Sequence, residues 1–132
     1  MSSENSEKAE RIRLLLVDDE VAFTTVMAKR LSHRGLDVTS AFSGSEAIQA
    51  MRKSEFDAAV LDLKMEDMDG IEVLKIFKKM DPDMAVIMLT GHGSEKSASE
   101  GMEYGAYDYL FKPFEFEELL KKIREAVSGI KK

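Results

Sequence analysis

Five polar residues of the kinds that handle phosphoryl groups stand directly after apolar runs. Asp18-Asp19 follows Ile12–Val17, Asp62 follows Ala58–Leu61, Thr90 follows Ala85–Leu89, and Lys112-Pro113 follows Tyr107–Phe111. Singly, each has an ordinary explanation. An Asp at a strand–helix junction commonly caps the helix, Thr90 suits a turn, a lone Lys is usually solvated, and Lys-Pro is a turn in its own right. If the runs are strands of one parallel sheet, however, their carboxyl ends share a rim and all five side chains meet in one cleft. Three crowded carboxylates repel one another unless a cation neutralises them. Hard oxygen donors suit Mg²⁺ or Mn²⁺, and Mg²⁺ commonly bridges to phosphate. One carboxylate can then attack phosphorus and form an aspartyl phosphate. Lys112 and the metal would offset charge on the phosphoryl oxygens, and the Thr90 hydroxyl would donate a hydrogen bond to them.

The elements that must position these residues are readable in outline. Ile12–Val17, Ala58–Leu61 and Ala85–Leu89 are short and mostly apolar, as strands buried on both faces are. Leu36–Ala41 and Tyr107–Phe111 have mixed character, and Leu36, Val38 and Ser40 share one face, which suits edge strands. Between the runs apolar residues recur at helical spacing: Phe23, Met27 and Leu31, then Ile71, Leu74 and Phe77. Ser43 with Glu46, and Asp69 with Glu72, have capping-box spacing. The last helix has the clearest stripe, through Phe116, Leu119, Leu120, Ile123 and Val127. Ser94 to Tyr104 offers only Ala98 and Met102 as anchors, with Gly101 inside, so it is expected to be the least stable helix. Five strand signals alternating with five helical ones predict an α/β fold in three layers, (βα)5 and flavodoxin-like. Its five-stranded parallel sheet takes the order 2-1-3-4-5, with the mixed strands at the edges.

Composition sets the outer bounds. The 132 residues fit one compact domain. We place a flexible leader at 1–11, the folded domain at 12–128 and a tail at 129–132. With 25 Asp and Glu against 19 Lys and Arg the formal charge is −6, so the broad basic footprint of a nucleic-acid binder is missing and no direct nucleic-acid partner is expected. The absence of Cys excludes disulfides, thiolate catalysis and Cys-ligated metals. No apolar run approaches the ~20 residues of a membrane span, and the first residues lack a signal-peptide core. A soluble cytoplasmic protein without a membrane partner is expected.

Taken together, the residues resemble a response regulator receiver domain of the chemotaxis-regulator-like kind in bacterial two-component systems, from Ile12 to Val127. The marks are Asp18-Asp19-Glu20, Asp62 followed by Met68-Asp69-Gly70, Thr90-Gly91, Tyr109 ahead of Lys112, and Lys112-Pro113. The resemblance implies a phosphorelay module in which Asp62 accepts a phosphoryl group from the phosphohistidine of a sensor histidine kinase or phosphotransfer protein. It implies direct Mg²⁺ coordination by Asp19 and Asp62, help from Asp18 through water, and the Lys64 backbone carbonyl as a further ligand. The Lys112-Pro113 bond is usually cis in the family, and Tyr109 matches its switch aromatic. If Thr90 moves toward the phosphoryl group, the Tyr109 ring fills the space it leaves. The side chains of Lys64 and His92 occupy positions that tune phosphate lifetime. Such a protein catalyses only its own phosphorylation and dephosphorylation, and so is a signalling module. A downstream target or output domain would read the face built from the Ser94–Tyr104 helix, the Tyr109 strand and the last helix. A phosphorylation-dependent homodimer is also allowed. The chain stops just after the last helix, as expected of a stand-alone receiver or of one excised from a longer regulator.

One departure stands out: Glu66 occupies a position where the family often has Pro, and Glu66-Asp67 is expected to add negative charge beside the pocket. His92 has no second His near it in sequence, so a surface loop residue is expected rather than a metal ligand. Met65, Met68 and Met80 read as gap fillers. Rival functions leave recognisable marks. A haloacid-dehalogenase-like phosphotransferase wants an acid two residues after its Asp nucleophile, where this chain has Lys64. A flavin mononucleotide carrier wants a phosphate-welcoming loop after the first strand, where Asp18-Asp19 would repel the phosphate. A receiver-like scaffold that is never phosphorylated would keep every one of these residues.

Overall fold

The computed structural model describes residues 11–91 and 94–129. Its ten elements alternate strictly: β1 (Arg13–Val17), α1 (Val21–His33), β2 (Asp37–Ala41), α2 (Gly44–Lys53), β3 (Ala58–Asp62), α3 (Gly70–Met80), β4 (Ala85–Thr90), α4 (Glu95–Glu103), β5 (Asp108–Phe111) and α5 (Phe116–Ser128). The strands form one parallel sheet in the order β2-β1-β3-β4-β5. This is the flavodoxin-like arrangement the sequence predicts.

Every residue of β3 is buried, as expected of a central strand covered on both faces. Alternate side chains feed two cores. Leu14, Leu16, Val60, Ile87 and Leu89 pack with Met27 and Leu31 of α1 and with Phe116, Leu119, Leu120 and Ile123 of α5. Leu15, Val17, Leu61, Val86 and Met88 pack with Ala47 of α2 and with Val73, Leu74 and Phe77 of α3. On edge strand β2 only Val38, Ser40 and Ala41 are shielded, while Asp37 and Thr39 face solvent.

Helix starts are held by side chains from near and far. Ser43 Oγ accepts from Glu46 N–H at 3.0 Å, and Glu46 Oε1 reaches back to Phe42 N–H at 2.8 Å. At α3 only half of the expected box forms. Asp69 Oδ1 accepts from Ile71 N–H at 2.9 Å, but Glu72 turns to Lys75 at 3.2 Å.

Two expected anchors are not buried. Met102 is 37% exposed and Val127 36%. In α4 it is Gly101 that faces the sheet, because a Cβ there would run into Met88 Sδ; the close approach that Ala98 and Gly101 permit leaves Met102 on the outer side. Val127 lies in the last turn of α5, lining a 580 Å³ cavity shared with Arg13 and Met80. Met65 and Met68 pack against the core, but Met80 is 40% exposed and fills no gap. Among the described residues, no helix is long and apolar enough to cross a membrane.

Candidate functional site

β1 delivers the first carboxylate. Asp18 N–H continues the ladder by donating to Ala41 O at 3.1 Å, which fixes the residue as the chain leaves the sheet. The Asp18 side chain is buried, with Oδ1 accepting from Glu20 N–H and Oδ2 from Lys112 Nζ, each at 3.0 Å. Below it the buried Thr24 hydroxyl lies 3.0 Å from Asp18 O and 2.9 Å from Glu20 O, and so ties the first turn of α1 to the strand end. Thr24 is absent from the sequence reading. Its signal is helical spacing, for it lies on the same stripe as Met27 and Leu31.

Asp19 is half-buried, and its Oδ2 accepts from Glu66 N–H at 3.0 Å. Asp62, the last residue of β3, is 6% exposed. Leu63 N–H donates to Leu89 O at 2.9 Å, so the ladder holds β3 just beyond Asp62. One oxygen each from Asp18, Asp19 and Asp62 lies within 4.8 Å of the others. That donor set, three hard oxygens bearing charge with one ammonium against them among the described residues, fits a small divalent cation.

The ammonium comes from the residue that follows β5. Lys112 N–H donates to Thr90 O at 2.8 Å, and the Lys112-Pro113 bond is cis. Lys112 Nζ stands 3.8 Å from Asp62 Oδ1 and 3.9 Å from Glu20 Oε1, and lies 4.8 Å from the centre of the Phe23 ring. Phe114 meets Phe23 edge-on, with ring centres 6.3 Å apart. Burial raises the Asp62 carboxyl to about 6, helped by the charge of Asp18 and opposed by Lys112 and the Lys64 N–H. At neutral pH Asp62 is therefore an ionised but poorly solvated carboxylate.

The loop from Leu63 to Asp69 is folded back on itself. Gly70 N–H donates to Leu63 O at 3.1 Å, and Lys64 pairs with Asp69 in an isolated antiparallel bridge. Gly70 is required here, because a Cβ would strike Leu63 Cα. The Lys64 side chain is exposed. Asp67 does not face the pocket, contrary to the expectation from its sequence position. Its carboxylate accepts from Gly44 N–H at 2.9 Å and from Ser45 N–H and Oγ at 3.1 and 3.2 Å. These bonds satisfy free donors at the start of α2 and hold the Asp67 carboxyl below its usual range.

Thr90, the last residue of β4, is 2% exposed and by strand alternation shares the face of Met88. Tyr109 lies opposite Met88 in register, and Phe111 lies opposite Thr90. The half-buried Tyr109 ring meets Phe111 with centres 5.2 Å apart. Phe111 is a further omission of the sequence reading, although the two-residue period places it beside Tyr109. His92 lies outside the described residues, as do residues 1–10 of the expected leader and 130–132 of the tail.

Comparison with known proteins agrees with this geometry. Residues 14–124 match the family described as the response regulator receiver domain. The chain is 35% identical over 119 residues to the transcriptional regulatory protein ZraR of Klebsiella oxytoca, covering 90% of this chain and 27% of that protein. It is 40% identical over 113 residues to the transcriptional regulatory protein TrcR of Mycobacterium tuberculosis, covering 86% and 44%. The chain thus spans about a quarter of the ZraR length and under half of TrcR. Among solved structures, a CheY-like receiver domain protein from Methanospirillum hungatei superposes with a TM-score of 0.87 at 32% identity, covering 91% of this chain and 96% of that one. NtrX from Brucella abortus, in complex with ADP, gives 0.86 at 30% identity, over 90% of this chain and 27% of its own.

Proposed function

The chain belongs to the response regulator receiver domain family, and from that premise we propose that it is a phosphoacceptor whose reacting group is the Asp62 carboxylate. The observation that carries this reading is the buried Asp62 oxygen, within 4.8 Å of carboxylate oxygens from Asp18 and Asp19 and 3.8 Å from an ammonium.

In the proposed step an Asp62 oxygen forms a bond to phosphorus as the P–N bond of a kinase phosphohistidine breaks, and the electron pair leaves with the imidazole nitrogen. Asp19 and Asp62 with the Lys64 carbonyl would hold a Mg²⁺ or Mn²⁺ ion, and Asp18 would support it through water. When bound, that ion supplies positive charge against the phosphoryl oxygens. Lys112 adds an ammonium already held in place by Asp18 and the Phe23 ring, so little reorganisation accompanies the reaction. Thr90 offers a hydroxyl from the adjacent strand end. Hydrolysis of the acyl phosphate returns the carboxylate, so the protein turns over no substrate other than its own phosphoryl group.

For the readout we place the switch at Thr90 and Tyr109, with Lys64 and His92 tuning phosphate lifetime. The partner face is α4, β5 and α5. Support comes from α4 itself, whose buried residues are Ala98 and Gly101 and whose N-cap Ser94 makes no side-chain capping bond. Coupling of about 1–3 kcal/mol would suffice to shift a helix so lightly held. A kinase or phosphotransfer donor in the cytoplasm, and a target or output domain downstream, complete the proposal.

The test is incubation with acetyl phosphate, with and without Mg²⁺, followed by intact mass measurement. A metal-dependent gain of one phosphoryl group that Asp62→Asn abolishes is expected. Labelling that survives Asp62→Asn would overturn the assignment.

A further inference from the structure

Asp19 is the least buried of the three clustered acids, and repulsion from Asp18 and Asp62 favours its swinging out to water. Among the described residues, the hydrogen bond that opposes that motion comes from a main-chain donor, Glu66 N–H, 3.0 Å from Asp19 Oδ2. We propose that this N–H is a positioning group for the divalent-cation site: it keeps the Asp19 carboxylate turned toward Asp18 and Asp62 before the cation arrives, and so sets the affinity for it. The inference rests on the reading of the three acids as a Mg²⁺ site.

The donor cannot follow Asp19 outward, because the loop is tied on both sides of it. Gly70 N–H holds Leu63 O, Lys64 is bridged to Asp69, and Asp67 is bonded to the start of α2. Met68 packs against Gly44, where an added Cβ would lie 2.9 Å from its Sδ. A carboxylate has two oxygens and about four lone pairs, so Oδ2 can keep this bond while other lone pairs remain for a cation. A hydrogen bond from the protein onto a metal-ligating carboxylate orients it and tunes the site. The Glu66 side chain is exposed, so its residue type matters here only through the N–H that proline would lack.

Calorimetric titration with Mg²⁺ of the wild-type chain, Glu66→Ala and Glu66→Pro tests this. Glu66→Ala keeps the N–H and is expected to bind as the wild type does. Glu66→Pro is expected to bind about tenfold more weakly, with an unchanged urea midpoint in EDTA. Amide hydrogen exchange in EDTA provides a reading that needs no proline: the Glu66 amide is expected to be protected in the wild type and to lose that protection in Asp19→Ala. A Glu66→Pro chain that folds and binds Mg²⁺ as tightly as the wild type, or a Glu66 amide indifferent to Asp19→Ala, would overturn the positioning role. Failure of the wild type to take up Mg²⁺ would overturn the metal site and this role together.

Discussion

Lys112 Nζ donates to Asp18 Oδ2 at 3.0 Å, joining residues 94 positions apart in the chain, one carboxylate 1% exposed and one ammonium 27% exposed. Lys112→Met leaves the Asp18 carboxylate with the Glu20 N–H as its remaining donor among the described residues, next to two further acids. Breaking a buried pair from one side costs about 3 kcal/mol or more. Urea denaturation in EDTA at neutral pH is expected to show a loss of that order, partly recovered in Asp18→Asn/Lys112→Met.

The titration of Asp62 gives the metal-free protein a definite pH dependence. Its carboxyl sits at about 6 in the fold and near 4 in an unfolded chain, so between those values the folded state holds the extra proton. For this group stability is therefore greatest on the acid side and falls as pH rises from near 4 through 6, by roughly 3 kcal/mol in all. Asp62→Asn is expected to flatten that slope and to raise the midpoint at pH 7 in EDTA. Equal slopes for the two proteins between pH 5 and 7 would show that burial of Asp62 is not what raises its carboxyl.

Gly70 is expected to be intolerant of even one added carbon. An alanine Cβ would lie 2.7 Å from Leu63 O as well as against Leu63 Cα, and backbone atoms cannot step aside as a side chain can. Gly70→Ala is expected to cost about 2 kcal/mol or more, read as a lowered urea midpoint. Gly44→Ala meets the movable side chains of Met68 and Val73 instead, and is expected to cost less.

Asp67 acts at a distance in sequence on the start of α2. Asp67→Ala removes the acceptor for Gly44 and Ser45 and is expected to cost about 1 kcal/mol, as loss of a helix cap does. Because those bonds hold the Asp67 carboxyl below its ordinary value, their contribution is present at neutral pH and lost as pH falls through the folded value. The difference between wild type and variant should accordingly shrink in acid, which paired denaturation curves at pH 7 and pH 3 would show.

The sheet order and the convergence of Asp18, Asp19, Asp62 and Lys112 are legible in the chain because both rest on local signals. An apolar run reports a central strand, and the polar residue that ends it reports the rim. Residues that act through distant partners are not legible in that way. Asp67 caps a helix that begins 23 residues earlier, and Glu66 works through a main-chain N–H that all residues but proline possess. Met102 misleads because apolar character marks a buried face only where there is room for a side chain, and α4 lies too close to Met88 for one. Thr24 and Phe111 were within reach, since each lies on a periodic face already marked by its neighbours.

The clustered side chains hang from the ends of strands, and main-chain bonds such as Leu63 N–H to Leu89 O and Lys112 N–H to Thr90 O set their spacing. None of them belongs to the outward surface of a helix. Residues such as Val21 and Val26 on α1 or Met102 on α4 can therefore be exchanged with little disturbance of the interior cluster. Substitution can accordingly rework the exterior of this domain while the interior acids and ammonium keep their arrangement.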